Sequence, residues 1–266
     1  MKRNKDNLEL FEFEILSSVP GLKHFVTTRE GGVSSPPYNS LNLGLHTADN
    51  PAHVLTNRNL LAEGTGIIPE KFLYASQVHS GDVKVIDQVA IESGILTHNP
   101  RTDATVTALP GICLMVMVAD CVPLVLFDPV KRVSAVIHAG WRGTVQHITS
   151  NTVRTMIQYF GCDPLDILAG MGPSIGPCCY EVGEEVRNVV EQSFGTSDGF
   201  LVYHNHSKKP HFDLWYANHR QLTDLGVKTE NIETAGLCTK CRQDLFFSSR
   251  ASAGLTGRFA AGIYMV

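Results

Sequence analysis

Three side chains in this sequence could together hold a metal ion that does chemistry. They are His79 in Ser76-Gln77-Val78-His79-Ser80, Cys121 in Ala119-Asp120-Cys121-Val122-Pro123, and His138 in His138-Ala139-Gly140-Trp141-Arg142-Gly143. One thiolate and two imidazoles are a natural donor set for zinc, and three protein ligands leave the fourth tetrahedral position open for water or substrate. The same residues permit other chemistry. With the thiolate free, Cys121 could be a nucleophile and His79 or His138 its base, as in a hydrolase acting on an amide. With copper bound, a His-Cys-His set could carry oxidase chemistry, although the chain has one His-x-His pair, His204-Asn205-His206. Each residue alone also has a plain structural role, the cysteine as a small core residue and the histidines as satisfied donors. The separations between them match no local zinc signature.

The elements that would position these residues are readable in part. Ile112 to Val118 and Leu124 to Phe127 are apolar runs of strand length, and Pro123 between them lacks a ladder donor, so Cys121 is expected at a break between strands. Val133 to Ile137 reads as a further strand that delivers His138 at its end. A glycine-flanked turn should then enter a helix near Thr144, with Val145, Ile148, Val153, Met156 and Ile157 on its buried face. Arg142 would sit at that strand-to-helix corner, where backbone N–H groups and the helix dipole favour an anion. An equally good reading has Arg142 on the surface and the glycines serving only the turn.

Elsewhere, Asn50-Pro51 marks a helix start and Gly64 its end, which puts Arg58 on a helix. The Gly, Ser, Pro and Asn-rich stretch from Thr27 to Thr47 precedes it, with Arg29 and Arg58 able to bring positive charge to a site it covers. Leu165 to Ala169 and Asn231 to Ala235 read as strands, Gly183 to Phe194 and Asp213 to Leu225 as helices. The glycine and proline loop from Gly170 to Pro177 lacks the lysine of a P-loop.

With 266 residues, 43% hydrophobic and 18% charged, the chain is expected to form one domain over residues 1–266. A net charge of −4 gives no reason to expect nucleic acid or an anionic membrane as partner. Glu9, Glu12 and Glu14 interrupt any apolar signal core, and no apolar run reaches spanning length. Seven cysteines, an odd number, then read as reduced thiols in the cytoplasm. Cys178, Cys179, Cys238 and Cys241 could form a four-thiolate zinc site. Pro177 and the shared backbone of adjacent cysteines fit two chelating loops poorly, so buried, inert thiols are expected.

These motifs, with Gly172-Pro173-Ser174-Ile175-Gly176-Pro177-Cys178-Cys179-Tyr180-Glu181-Val182, resemble the YfiH family. Thr27-Thr28-Arg29-Glu30-Gly31-Gly32-Val33-Ser34, Ser40-Leu41-Asn42-Leu43-Gly44, Asn57-Arg58, Phe247-Ser248-Ser249-Arg250 and Thr256-Gly257-Arg258 are similar to its pattern as well, so nearly the whole chain is covered. The family has been called laccase-domain, multicopper polyphenol oxidoreductase, peptidoglycan editing factor, and purine nucleoside phosphorylase with adenosine deaminase activity. The resemblance implies an α+β fold, a single layered domain of mixed β-sheets flanked by helices, with zinc on His79, Cys121 and His138. It implies phosphorolysis of adenosine, inosine, guanosine and methylthioadenosine, and deamination of adenosine. For such reactions Asp120 is a candidate proton carrier or else a turn cap, and Arg58, Arg142 and Arg250 are candidates to hold phosphate. A copper polyphenol oxidase, a cysteine hydrolase of a cell-wall precursor and a non-catalytic binding module are the alternatives.

Overall fold

The computed structural model describes residues 1–4, 8–95, 100–204 and 209–266. Its apolar runs form two six-stranded sheets. The first runs β1 (Lys2–Asn4), β2 (Leu10–Glu12), β3 (Leu22–Thr27), β14 (Phe259–Met265), β7 (Cys113–Val118), β4 (Phe72–Tyr74). The second runs β13 (Ile232–Thr234), β10 (Leu168–Met171), β8 (Val122–Asp128), β9 (Val133–Ala139), β6 (Ala104–Thr107), β5 (Val83–Val85). Both sheets are mixed: β4 with β7, β5 with β6 and β10 with β13 run parallel among antiparallel neighbours. A short antiparallel ribbon pairs β11 (Leu201–Val202) with β12 (His211–Phe212).

Alternation along the central strands explains the layering. Leu114, Val116 and Val118 of β7 and Phe259, Ala261 and Ile263 of β14 pack against Val125, Phe127 and Val136 in a core between the sheets. The opposite residues of β7, Cys113, Met115 and Met117, pack with Leu41, Leu43 and Leu61 beneath the helix Pro51–Thr65. On the far face of the second sheet, Val122, Leu124, Leu126, Ala135 and Ile137 meet Val153, Met156, Val190, Leu214 and Leu222 from three helices, Ile148–Phe160, Glu184–Phe194 and Leu214–Thr223. Strands covered on both faces bury every residue, which is why β7 and β8 stand out as apolar runs and β9 does so with one buried serine, Ser134, inside its run. The expected α+β fold of mixed sheets flanked by helices is the one observed.

Four local expectations need correction. Strand β8 begins at Val122 and includes Pro123, inside a central strand. The carbonyl of Pro123 accepts the Gly172 N–H at 2.8 Å, just past the last β10 pair, Leu124 with Met171. The missing N–H faces that same flank, where the ladder has already ended. The helix from Pro51 is capped by the Asn50 side chain accepting from the Ala52 N–H, but it stops at Gly66 (φ 62°), not Gly64. Gly64 is needed for another reason: a Cβ there would sit 2.9 Å from Leu8 Cβ. The helix after His138 starts at Trp141, ends at Val145, and resumes at Ile148. His147 interrupts it in the left-handed region (φ 59°), its ring held by Ser193 Oγ at 3.1 Å. Finally, the strand expected from Leu165 starts at Leu168, because Asp163 caps a turn of 3-10 helix over Pro164–Asp166.

Candidate metal centre

Two of the three candidate ligands lie where the chain passes from one sheet to the other. Strand β4 leads through His79 to β5, and β7 leads through Cys121 to β8. His138 sits on β9 opposite Pro123, beside the second crossing. His79 and Asp120 hold left-handed backbone, φ 61° and 89°, which lets the crossings turn sharply. Gly140 makes the close approach possible: a Cβ there would lie 2.8 Å from Cys121 Sγ and 3.2 Å from His79 Cδ2. The ligand atoms of His79, Cys121 and His138 lie within 4.8 Å of one another. One soft thiolate and two imidazoles gathered this closely fit zinc, and copper also accepts such a set.

Behind these residues stands Asp103, a group that motif reading did not single out. It is fully buried and accepts from His138 Nδ1 at 2.8 Å and from the N–H groups of Val78, His79 and Ser80 at 3.1, 2.9 and 2.7 Å. One carboxylate thus shapes the His79 turn and commits His138 Nδ1, leaving Nε2 as the ring nitrogen available to a metal. Burial opposes the Asp103 charge, but the hydrogen bonds from His138 and the Ser80 amide prevail and lower its pKa to about 2. Burial likewise opposes the Cys121 thiolate, and His138 and His79 overcome it, bringing the thiol down to about 6. His138 is disfavoured as a cation by burial, yet Cys121 and Asp103 raise it to about 9. Without metal, the pair is a thiolate beside an imidazolium. A bound cation would take over the role of that proton.

The centre opens into a cavity of about 760 Å³. Arg58 and Arg250, two of the arginines picked from sequence, line it, and so does Arg258, previously noted only within a family motif. Arg58 donates to the Leu43 carbonyl through Nε and a terminal nitrogen at 3.1 and 3.0 Å, and lies 3.8 Å over the Tyr74 ring. Arg258 spends one nitrogen on the carbonyls of Thr256 and Gly257, both at 2.9 Å. Arg250 donates to the Glu181 carbonyl at 2.9 Å and stacks 5.0 Å from the Tyr180 ring centre. Arg142 is exposed over Trp141, 4.4 Å from the ring centre, and does not line the cavity. His46 lines it; loss of solvent, then the charges of Arg258 and Arg58, lower its pKa.

Two polar residues of the motifs hold the frame. Gln77 donates to the Met117 carbonyl at 2.8 Å and accepts from its N–H at 2.9 Å, so its amide mimics a strand and clamps the His79 crossing to β7. Asp120 lines the cavity, but Oδ1 accepts from the Thr239 hydroxyl and Oδ2 from the Arg250 N–H, both at 2.6 Å. Both oxygens therefore join loops from distant parts of the chain. In the Gly170 to Pro177 loop, Gly176 packs under Trp215, whose indole N–H reaches Ser174 Oγ. The loop contributes Ile175 to the cavity wall.

In the second cysteine group the expectation of buried thiols holds for Cys238 alone. Cys178, Cys179, Cys238 and Cys241 come together with their sulfurs within 4.8 Å of one another, and Cys178 and Cys241 are exposed. Adjacent cysteines do not prevent this, because each pair is carried on its own tight turn. His206 of the His-x-His pair lies outside the described residues; His204 contacts the Pro177 carbonyl at 3.0 Å.

Two facing mixed sheets with helices outside, and a three-donor centre built from two passages between them and the adjoining strand β9, define an α+β protein with a candidate transition-metal site over a cationic cavity. Residues 23–266 match the family described as multi-copper polyphenol oxidoreductase laccase, and the chain belongs to that laccase-domain YfiH family. A purine nucleoside phosphorylase of Bacteroides thetaiotaomicron is 36% identical, over 94% of this chain and 94% of that protein. Adenosine deaminase RL5, from an unknown prokaryotic organism, is 36% identical, over 97% of this chain and 99% of the relative. The crystal structure of YlmD from Geobacillus stearothermophilus superposes with a TM-score of 0.89 at 31% identity, covering 99% of this chain and 98% of that one. The protein is an enzyme.

Proposed function

We propose that this protein is a zinc enzyme that phosphorolyses purine nucleosides, namely adenosine, inosine, guanosine and methylthioadenosine, and also deaminates adenosine to inosine. The observation that carries this reading is the opening of the His79, Cys121 and His138 centre onto the same cavity as three arginines. The relatives named as phosphorylase and deaminase support the choice of substrate.

Phosphorolysis needs phosphate held against the ribose carbon while the base departs. Arg58 and Arg258 suit the anion, because a guanidinium stays charged even where, as here, burial lowers its pKa. Partial burial also strengthens their pull on phosphate relative to open water. Arg250 adds a charge at the Tyr180 side of the cavity. His79, Cys121 and His138 would hold the zinc, which when bound supplies Lewis-acid chemistry at its open position. Asp103 holds the Nδ1 proton of His138 and so fixes the ring for that task. His46, biased toward the neutral form, can accept a proton at the cavity. Asp120 spends both oxygens on positioning Thr239 and the Arg250 backbone.

Among the described residues no helix is long and apolar enough to cross a membrane. All seven cysteines are free, which suits a reducing compartment such as the cytoplasm. The deciding experiment incubates zinc-loaded protein with adenosine, with and without phosphate, and identifies the products. Adenine and ribose phosphate should appear only with phosphate, and inosine in both conditions. Absence of all three products would overturn the reading.

A further inference from the structure

We propose that Cys178, Cys179, Cys238 and Cys241 hold a structural zinc ion, separate from the His79 centre, that ties the loop after β10 to the loop after β13. The fold has already brought the four together before any metal is considered. Cys178 and Cys179 ride a turn in which the N–H groups of Cys179 and Tyr180 both return to the Gly176 carbonyl, at 2.9 and 3.0 Å. Cys238 and Cys241 ride another, with the N–H groups of Cys241 and Arg242 returning to the Cys238 carbonyl at 3.1 and 2.9 Å. Backbone pairing locks the turns together. The Ser174 N–H donates to Leu237 at 3.2 Å, and the Thr239 N–H donates to Ser174 at 3.0 Å.

The sulfur spacing suits a tetrahedron. A zinc ion with four thiolates at about 2.3 Å separates neighbouring sulfurs by about 3.8 Å. Cys178 and Cys241 are 3.8 Å apart, Cys179 and Cys241 are 3.5 Å apart, and all four sulfurs lie within 4.8 Å. A disulfide would require about 2.05 Å. Supporting contacts surround the cluster as they do at built metal sites. His204 and His211 contact the carbonyl of Pro177, the residue before Cys178, at 3.0 and 2.7 Å.

Four thiolates fill zinc's coordination, so this ion would be structural, in contrast to the three-donor centre. The loops it joins run on into the cavity wall, one carrying Ile175 and Tyr180 and the other leading to Arg250. The test uses the full chain. Zinc per protein is measured after dialysis against metal-free buffer for the natural protein, Cys121→Ala and Cys178→Ser/Cys241→Ser. The natural protein should carry a second equivalent of zinc, and each variant should lose one. Cobalt exchanged into Cys121→Ala should give intense thiolate-to-cobalt absorption, since the remaining thiolate site is the four-cysteine one. The double variant should lose that site's zinc and melt at a lower temperature. If the double variant does not fold, Cys121→Ala still decides. A Cys121→Ala protein that holds no zinc and shows no such absorption overturns the proposal, as does a double variant with unchanged zinc. Loss of two titratable thiols from this cluster to a disulfide, without metal, overturns it too. None of these readouts depends on nucleoside turnover.

Discussion

Asp103 shows how far the centre depends on a residue that need not touch substrate. Asp103→Asn keeps the size but removes the charge that holds His138 Nδ1 and the His79 turn. Zinc affinity should fall by roughly 10- to 100-fold, read by competition with a chromophoric chelator. The thiolate at Cys121 makes a second expectation. Its pKa is lowered to about 6, so in zinc-free protein the rate of iodoacetamide reaction at Cys121 should rise through about that pH and level off above it. Mass mapping separates Cys121 from the exposed Cys178 and Cys241, and bound zinc should suppress the reaction. If zinc-loaded protein is alkylated equally fast at Cys121, a free-thiolate hydrolase becomes the better reading. Among the arginines, Arg258→Met should raise the phosphate KM by about tenfold or more, given about 1.5–3 kcal/mol for a charged hydrogen bond, while Arg142→Met should change it little. His79, Cys121 and His138 were legible because their residue types are metal donors in distinctive stretches. Asp103 was not, since an aspartate before a strand resembles any turn residue until its four partners are seen. Arg258 was hidden for a similar reason: only the fold decides which of several arginines turns inward.

At the level of elements, the strands buried on both faces were the easiest to read, and the junctions were the hardest. Largely apolar runs announced β7, β8 and β9, whereas the helix break at His147 depends on Ser193, far along the chain. Pro123 misled for a local reason, because the rule against proline in central strands does not apply where the neighbouring ladder has just ended. Another junction carries a pH dependence. His24 on β3 accepts the Phe13 N–H through Nε2 at 2.8 Å, tying the chain after β2 to the sheet. Burial lowers its pKa to about 4 against the ordinary 6.5, with the Phe13 and Glu233 contacts opposing only in part. A depressed histidine is proton-free in the folded state while the unfolded chain takes up a proton below about 6.5. Its contribution is therefore present above that pH and lost as pH falls toward about 4. Urea unfolding at about pH 7 and about pH 5 should show a loss of about 2 kcal/mol from this group. His24→Gln, whose amide oxygen can still accept, should flatten that part of the slope. An unchanged slope would mean that other groups set the acid limit.

For the whole molecule, the decisive fact is that two of the three candidate ligands sit on passages between the sheets and the third on β9 beside them, so their spacing depends on how the sheets are held apart. Phe127 lies in the core between the sheets, and Met156 lies in the core on the helical side of the second sheet. Both are fully buried, so each truncation to alanine should cost about 2–5 kcal/mol in urea unfolding. Their effects on the centre should differ. Phe127→Ala removes packing that sets the distance between β7 and β8, whose junction carries Cys121, whereas Met156→Ala loosens a layer that contributes no ligand. Zinc should therefore leave Phe127→Ala faster than Met156→Ala when both face excess chelator under conditions where both remain folded. Equal rates would mean that Asp103 and the local turns alone hold the centre, independent of the sandwich. Faster loss from Phe127→Ala would make the core between the sheets part of the metal site's support, which explains why a centre with no local spacing signature can be assembled from three separate parts of the chain.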